Sequence, residues 1–470
     1  MQRLVLSWSF NSRLIGQSLF ASTRKKISMT TPQSIYHTAV VGGGFSGLAT
    51  AYALARAGKR VILVEQDHEL GGLAGGFTVG SEVLEKFYHH WFNNDKEIFQ
   101  LIDELGARDN VLLRPTRTGM YYAQQFFRLS TPMDLLRFKA LPFIDRIRLG
   151  ISVLRARQVK DWRQLENLTA KEWLISLCGQ KVYDVVWDPL LVGKFGAVAD
   201  DVSAVWFWKK LVLRGGSRSS SGDEVLAYYR GGFAALAEKM GEAIRALGGE
   251  ILMGTAAVSV TSANGRATGV ALQDRQITAE NVVLSTAFPI TADLLEGQVP
   301  ADYLQKLRRV RYLANVCMVL SLDRSLSDTY WLNVNDPGFP YVGVIEHTNF
   351  EPPSSYGGRH IVYLSKYLPT THSMYTMNDQ ELVDFSIPHL QKMFPSFERS
   401  WIQDVHVWRA EYAQPIAEKH YSTFVPGRTT PLPNVFVTSM AQVYPEDRGT
   451  NYAVREGREL AQQILEAGTQ

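Results

Sequence analysis

Residues 37–66 read HTAVVGGGFSGLATAYALARAGKRVILVEQ, and the order of apolar and glycine-rich segments in them indicates the fold class. The apolar run Ala39–Val41 predicts a buried parallel strand, and the glycine-rich turn after it opens a helix that starts near Phe45–Ser46. A second apolar run, Val61–Val64, predicts a neighbouring strand. Strand, glycine turn, helix and strand in this order form a βαβ unit of the Rossmann type.

The turn carries the residues of a dinucleotide site. Gly42, Gly44 and Gly47 give the GxGxxG spacing: one permits the tight turn, the next admits a pyrophosphate, and the third lets helix and strand pack closely. The N–H groups near Phe45 and Ser46, with the helix dipole, point at the phosphates. Glu65, at the end of the second strand, can accept both hydroxyls of an adenosine ribose. The alternative is a βαβ unit without a ligand.

A second glycine cluster follows at once, in HELGGLAGG (68–76), where bare backbone can pass close to a bulky ligand. Here the sequence resembles the FAD-dependent amine oxidase superfamily, which contains protoporphyrinogen oxidases and phytoene-type desaturases and is related to the UDP-galactopyranose mutases. The resemblance implies FAD as the cofactor. It also implies that Gly71, Gly72 and Leu73 run along the pyrophosphate and the flavin.

Two later segments carry the same resemblance. Residues 228–272 look like the family's return to the FAD domain, with a Gly-Gly helix start, an amphipathic helix and a hairpin turning at Asn264-Gly265. Residues 434–465 look like the closing strand and helix, whose N-terminus faces the flavin pyrimidine. The resemblance implies that Val258 lies beside the adenine. Further candidate contacts with the flavin are Arg448, Gly449, Thr450, Asn451 and Tyr452.

The predicted fold class is α/β, with a discontinuous Rossmann-like FAD-binding domain and an inserted α+β substrate domain. We predict that residues 36–110, 226–299 and 429–468 build the FAD-binding domain and that 111–225 and 300–428 build the substrate domain. Residues 1–35 are predicted to be a leader or a disordered N-terminus, because residues 1–28 are basic, serine-rich and free of acids. An alternative is a translation start at Met29.

The segment EKFYHHWFNND (85–95) holds the candidate catalytic residues. Paired histidines among aromatic residues suit a proton carrier beside a flavin ring. The segment also looks like the His-Ile-Phe-His segment of the mutases, and His89 and His90 are the matching positions. Tyr452 is a third candidate. For all three residues a packing role remains the alternative.

The predicted function is FAD-dependent oxidation, as an oxidase or a desaturase, of a small apolar, aromatic or amine-bearing molecule. Because no second GxGxxG unit follows residue 76, electrons are expected to leave through oxygen, a quinone or another acceptor rather than a nicotinamide. Two alternatives stay open. One is a redox-neutral sugar-nucleotide mutase, and the other is a non-catalytic flavin-binding protein.

Composition and charge restrict the possible partners and the compartment of the protein. The chain has 470 residues, with 49 Lys and Arg against 46 Asp and Glu, and this near balance argues against a nucleic-acid partner. Cys178 and Cys317 form no CxxC or Cys/His cluster, so we expect no metal site and a reducing compartment, cytoplasmic or organellar. Residues 128–163 alternate apolar runs with arginines and lysines. They predict either peripheral contact with an anionic membrane or a solvated helical face.

Overall fold

The computed structural model describes residues 35–80, 82–128, 132–214 and 224–468, so the predicted leader at residues 1–34 lies outside the described residues. The strands, in chain order, are β1 (Tyr36–Val41), β2 (Val61–Val64), β3 (Gly76–Val79), β4 (Glu82–Glu85), β5 (Trp91–Phe92), β6 (Val111–Thr116), β7 (Thr118–Tyr122), β8 (Gln125–Arg128), β9 (Glu224–Tyr229), β10 (Glu250–Leu252), β11 (Ala257–Ala263), β12 (Arg266–Leu272), β13 (Gln276–Leu284), β14 (Tyr312–Leu322), β15 (Trp331–Val334), β16 (Gly343–Glu346), β17 (His360–Leu368), β18 (Ile402–Pro415) and β19 (Val435–Val437).

The helices of the same ranges, in chain order, are α1 (Phe45–Arg56), α2 (Lys96–Glu104), α3 (Pro132–Arg137), α4 (Phe143–Ala156), α5 (Ala170–Cys178), α6 (Gln180–Val182), α7 (Asp188–Phe195), α8 (Ala204–Arg214), α9 (Gly232–Ala246), α10 (Phe288–Leu294), α11 (Ala301–Arg309), α12 (Ser373–Thr376), α13 (Asp379–Met393), α14 (Tyr421–Phe424) and α15 (Thr450–Ala467).

The first large sheet is built around the βαβ unit. Its strand order is β10-β2-β1-β13-β12-β11, and β19 also pairs with β13. Strands β10, β2, β1, β13 and β19 run parallel, and β12 and β11 extend the sheet in antiparallel pairs. The central strands are buried, as their continuous apolar sequence requires. The predicted strands at 39–41 and 61–64 and the helix start at Phe45 are confirmed.

The predicted hairpin between β11 and β12 is also confirmed. Ala263 pairs with Arg266, and the two turn residues between them have positive φ angles of 53° at Asn264 and 73° at Gly265. Both values are those of the type I′ turn that an Asn-Gly pair favours. The local sequence therefore fixes this end of the sheet.

The second large sheet has the order β18-β14-β17-β16-β15-β7-β8. Its neighbouring strands are antiparallel except β7 and β15, which run parallel. Helices α3 to α8 lie in the chain between β8 and β9. A parallel sheet with helices and a separate, largely antiparallel sheet confirm the α/β fold class with an inserted α+β part, whereas the domain boundaries stay predictions.

The last helix returns to the first. An added Cβ at Gly457 would lie 2.4 Å from the Ser46 carbonyl oxygen, so α15 reaches α1 only because this position has no side chain. Thr50 Oγ donates to the Gly457 carbonyl at 3.2 Å. This contact brings the start of α15 to the same end of the first sheet as the glycine turn.

Two further observations concern membranes and thiols. Among residues 35–80, 82–128, 132–214 and 224–468, no helix has the length and hydropathy needed to cross a membrane. Cys178 and Cys317 are both buried free thiols.

Candidate functional site

The glycine turn shapes one end of the site. Gly42 has φ +106°, and a Cβ there would lie 2.5 Å from the Ser285 carbonyl oxygen. A Cβ on Gly47 would lie 2.0 Å from the Gly42 carbonyl oxygen. Both positions therefore need glycine for the protein's own packing, and Gly47 is absent from the cavity lining because it serves this internal contact.

Gly44 is different, and its surroundings point to a ligand. Its φ of −70° suits any residue, and a Cβ added there would meet no atom within 4 Å. The position faces a cavity of about 510 Å³. Nothing in the protein itself requires glycine at this position, whereas a pyrophosphate passing over the start of α1 would require it. The residues present therefore fit a bound dinucleotide.

The second glycine loop lies directly beside the first. Gly71 N–H donates to the Gly43 carbonyl at 2.9 Å, and Gly44 and Gly71 form a parallel bridge. Gly71 and Gly72 have positive φ angles of 111° and 58°. Both loops line the same cavity, together with the predicted residues Phe45, Ser46, Glu65 and Leu73. The structure thus brings together the two glycine motifs that the sequence predicted to border one cofactor.

Glu65 is buried at the end of β2 and faces the cavity. One carboxylate oxygen accepts the Gly43 N–H at 2.5 Å, and the other accepts the Asp67 N–H at 2.9 Å. Burial raises the pKa of this carboxyl, while the two backbone N–H groups counteract the rise. The carboxylate keeps lone pairs for ribose hydroxyls, because each oxygen can accept more than one hydrogen bond.

The turn before α15 forms the opposite wall. Arg448, Gly449 and Thr450 line the cavity. Arg448 donates to Gln414 Oε1 at 3.1 Å and to the Tyr367 hydroxyl at 2.6 Å, so it links this turn to the second sheet. Thr450 Oγ accepts the Trp91 indole N–H at 2.7 Å. The start of an 18-residue helix thus faces the cavity with its positive dipole end.

A cluster of charged residues, which no sequence pattern predicts, surrounds the residue before Arg448. Asp447 is buried and contacts Lys210 Nζ at 2.5 Å and Lys194 Nζ at 3.8 Å, and it accepts the Trp206 indole N–H at 2.9 Å. Burial alone would raise the pKa of Asp447, but the two ammonium groups lower it well below its usual range. A buried anion therefore fixes the backbone next to Arg448.

The two candidate histidines have different places. His89 lines the cavity, and its Nδ1 lies 2.5 Å from the Phe87 carbonyl oxygen. Since a carbonyl only accepts, Nδ1 carries the proton and Nε2 is left as an acceptor. Burial, together with the nearby Arg448, lowers the pKa of His89 to about 4. His89 is therefore a neutral imidazole at neutral pH.

His90 points to a different part of the molecule. Its Nδ1 lies 3.2 Å from the Tyr330 hydroxyl, and its ring packs edge-on against Phe92, Tyr330 and Trp331. It does not line the cavity. Only one of the two adjacent histidines therefore reaches the cavity.

Three other predicted contacts lie off the cavity lining. Val258 is 53% exposed, and the lining ends at its neighbours Thr255 to Ala257. Asn451 is buried, and its side-chain oxygen accepts the Ile98 N–H at 3.1 Å. Tyr452 lies beneath the Arg455 guanidinium, 5.0 Å from the ring centre. Burial and Asp95 raise the pKa of Tyr452, so its phenol stays neutral.

A small second cavity of about 30 Å³ adjoins the first, and we call it the polar chamber. The two cavities share His89, Arg448, Leu73 and Phe87. The remaining walls come from Tyr88, Asn315, Ser365, Tyr367 and Ala413. Such a volume holds about one water molecule or one small polar group.

The polar residues of this chamber come from buried strands. Asn315 Nδ2 donates to Ser365 Oγ at 3.0 Å, and both side chains are almost wholly buried. The signal in the sequence is weak: a lone Asn in YLANVCMVLSL and a lone Ser in HIVYLSKYL, each within an apolar strand. The pair satisfies its own hydrogen bonds, as buried polar groups must, and it forms one wall of the polar chamber.

Known proteins place this geometry in a family. The chain is similar to a zeta-carotene desaturase from Synechocystis sp. (29% identity, 32% of this chain and 36% of the relative) and to protoporphyrinogen oxidase 2 from Arabidopsis thaliana (24% identity, 35% and 34%). It thus spans about a third of the length of these curated relatives. A reduced UDP-galactopyranose mutase shares the fold, with a TM-score of 0.71 at 13% identity over 93% of this chain and 96% of that chain. The family model of the flavin-containing amine oxidoreductases matches residues 45–465, which confirms the resemblance: the chain belongs to this family, and FAD is its cofactor.

Proposed function

We propose that the chain is a FAD-dependent oxidase or desaturase that removes hydride from a small apolar, aromatic or amine-bearing molecule. One observation carries the proposal. A single cavity of about 510 Å³ joins the two glycine loops to His89 and to Trp408 and Tyr412 of the second sheet. A molecule held against β18 therefore shares its space with the cofactor. FAD, when bound, supplies the hydride acceptor.

The walls of the cavity support an apolar or aromatic substrate. Its large apolar and aromatic lining residues include Ile290, Leu294, Trp408, Tyr412 and Met440. Pockets of this kind orient a ligand by a few polar groups in an otherwise apolar surface. Two of the curated relatives are named for zeta-carotene and protoporphyrinogen, and these names support an apolar or aromatic substrate.

We assign the proton-handling role to His89. Its neutral imidazole offers Nε2 as an acceptor, while the bond from Nδ1 to the Phe87 carbonyl holds the ring in one orientation. The polar chamber beside it has room for one water between His89, Tyr367 and Arg448. The imidazole therefore takes up the substrate proton directly or through that water.

The residues that line the cavity support a sugar-nucleotide mutase less well than an oxidase or desaturase. That reaction needs arginines that converge on a diphosphate, and the cavity is lined by Arg409 and Arg448. Arg409 donates to the carbonyl oxygens of Tyr375 and Met377, at 3.1 Å and 2.6 Å. Arg448 is bound to Gln414 and Tyr367. Both guanidinium groups thus use at least two of their five N–H donors within the protein, which leaves fewer of them for a diphosphate.

The test is anaerobic reduction of the purified yellow protein. Amines, porphyrinogens and polyprenyl compounds are each added, and bleaching of the flavin absorbance is followed. One class should bleach it, and oxygen or a quinone should then restore the colour. If none bleaches it while the dithionite-reduced protein converts UDP-galactopyranose, the mutase replaces our proposal. If neither occurs, the chain is a non-catalytic flavin protein.

A matched pair of variants tests the proton role. His89→Ala should slow flavin reduction by about tenfold or more, because general acid–base groups contribute at least that much. His90→Ala is the control, since its ring lies among aromatic residues away from the cavity. Equal rates in the two variants would remove His89 from the mechanism.

We also propose an organellar compartment. The basic, serine-rich residues 1–28 and a curated relative named chloroplastic/mitochondrial support it. Fusing residues 1–35 to a fluorescent protein and imaging its location tests this proposal; a diffuse cytosolic signal would contradict it.

A further inference from the structure

Helix α4 presents its apolar face outward. Its buried positions are Asp145, Leu149, Ser152 and Ala156, of which only leucine is a large apolar residue. Its strongly exposed positions are Phe143 at 63%, Ile144 at 62%, Ile147 at 41%, Ile151 at 42% and Leu154 at 59%. This is the reverse of a solvated surface helix, which turns its apolar stripe toward the core.

The exposed side chains form one continuous surface. At about 100° per residue, the five positions fall within an arc of roughly 100° opposite the buried face. Met133 and Leu136 of the preceding α3 are also exposed, at 53% and 42%. Half of the strongly exposed large apolar side chains in the described part of the chain thus lie between residues 133 and 154. Soluble monomers rarely expose apolar residues in such concentration.

Basic residues lie beside this surface. Arg148 and Arg155 lie along one edge of the apolar arc on α4, and Arg137, Lys139 and Lys160 are exposed near its two ends. The acidic residues of the same stretch contribute little negative charge outward, since Asp145 is buried and contacts Arg148 at 2.9 Å and Asp134 is half-buried. An apolar face with a cationic border complements an anionic phospholipid surface.

Hydrogen bonds hold α4 to its neighbours. Arg146 donates to the carbonyl oxygens of Leu141 at 2.8 Å and Leu136 at 2.6 Å, which ties the end of α3 to the start of α4. The Trp208 indole N–H of α8 donates to the Ala156 carbonyl at 2.8 Å. The two helices therefore hold their exposed face in one orientation.

We propose that the face formed by Met133, Leu136, Phe143, Ile144, Ile147, Ile151 and Leu154 docks on the surface of an anionic lipid bilayer. The helix lies in the plane of the interface, with its apolar side chains among the acyl chains and its arginines at the phosphates. This inference does not depend on the proposed reaction.

The experiment is co-sedimentation of the full chain with vesicles of phosphatidylcholine, with and without phosphatidylserine. The wild type should bind the anionic vesicles and release as salt is raised, because screening weakens the ionic part. Ile147→Glu/Ile151→Glu should reduce the bound fraction by about tenfold or more, since two carboxylates then face the acyl chains. Arg155→Gln/Lys160→Gln should remove the preference for phosphatidylserine.

Leu247→Glu is the matched control, because Leu247 is 45% exposed but lies at the end of α9. It should bind like the wild type, and flavin content and thermal midpoint verify that each variant is folded. No binding of the wild type to either vesicle overturns the proposal, as does undiminished binding of Ile147→Glu/Ile151→Glu. A wild-type dimer that this double variant dissociates, without vesicle binding, would assign the face to self-association instead.

Discussion

Glu85 provides a test of the structure that does not need a substrate. It is wholly buried at the end of β4, where its carboxylate accepts the Tyr228 hydroxyl at 2.8 and 2.9 Å and the Phe233 N–H at 2.7 Å. Phe233 lies in the first turn of α9, and its ring is 5.3 Å from that of His89. By accepting the Phe233 N–H, Glu85 thus positions a ring that packs against His89.

Burial raises the pKa of Glu85 from 4.5 to about 7. The difference is equivalent to about 3 kcal/mol of folding free energy, since one pH unit is worth about 1.4 kcal/mol. Because the folded-state pKa is the higher one, this stability is fully present below pH 4.5 and is lost as the pH rises through 7. His89 and His347 shift in the opposite sense, since burial lowers their pKa values to about 4 and about 3. The stability of the whole protein therefore has one contribution that falls as the pH rises, from Glu85, and two that increase, from the histidines.

Glu85→Gln isolates the contribution of the carboxyl group. Glutamine stays neutral at every pH and keeps an oxygen for the Phe233 N–H. The stability of the variant minus that of the wild type should rise by about 3 kcal/mol from about pH 4 to about pH 8. Urea unfolding followed by tryptophan fluorescence measures this difference. A flat difference would show that the folded protein carries Glu85 as an ordinary ionised carboxylate, and a falling one would reverse the reasoning.

Four further variants test the cavity and its support. Gly44→Ala should weaken FAD binding by about tenfold or more with little loss of thermal stability, because its Cβ enters only the cavity. In Gly47→Ala the Cβ clashes with the backbone, so thermal stability should fall as well. Titration of the apoprotein with FAD measures the affinity of each variant, and thermal melting measures its stability. Glu65→Gln should lower FAD affinity by about tenfold, the cost of one charge-assisted hydrogen bond, which fluorescence quenching measures; unchanged affinity would remove the ribose contact. Asp447→Asn should destabilise the fold by about 2 kcal/mol, since it removes the buried carboxylate that the half-buried Lys210 contacts. The control is Asp293→Asn, because Asp293 pairs with Arg308 at the surface; a smaller loss in urea unfolding for Asp447→Asn than for this control would contradict the reasoning.

The sequence predicts the nucleotide half of the cavity because its determinants are local. Strand, glycine turn, helix and acidic strand end follow one another between residues 36 and 65, and each element is specified by its own residues. The family resemblance predicts that the start of α15 borders the flavin. The structure places Gly449 and Thr450 at the cavity, whereas the side chain of Asn451 points into the protein. The sequence pattern indicates which segment borders the cavity, whereas the rotation of the helix about its axis decides which of its side chains faces the cavity.

The polar chamber lay beyond sequence reasoning for a different reason. Asn315 and Ser365 meet only because β14 pairs with β17 in the second sheet, and the residues are 50 positions apart. Strand pairing at that separation is not encoded in any local pattern. The same limit applies to α4: its period shows an apolar face, but only tertiary packing shows that this face points away from the core.

Helix α8 connects the two surfaces that carry our proposals. Its Trp208 contacts the end of α4, and its Lys210 holds Asp447, the residue before Arg448 of the cavity. Since one helix of 11 residues bears both contacts, it joins the exposed face of α4 to the turn that lines the cavity before α15. An apolar substrate dissolved in a bilayer has very low concentration in water, so an enzyme that acts on it gains from a fixed orientation at that surface. The exposed face of α4 therefore favours a lipid-soluble substrate over a freely soluble amine, and a soluble amine that bleaches the flavin while vesicles have no effect would argue the reverse.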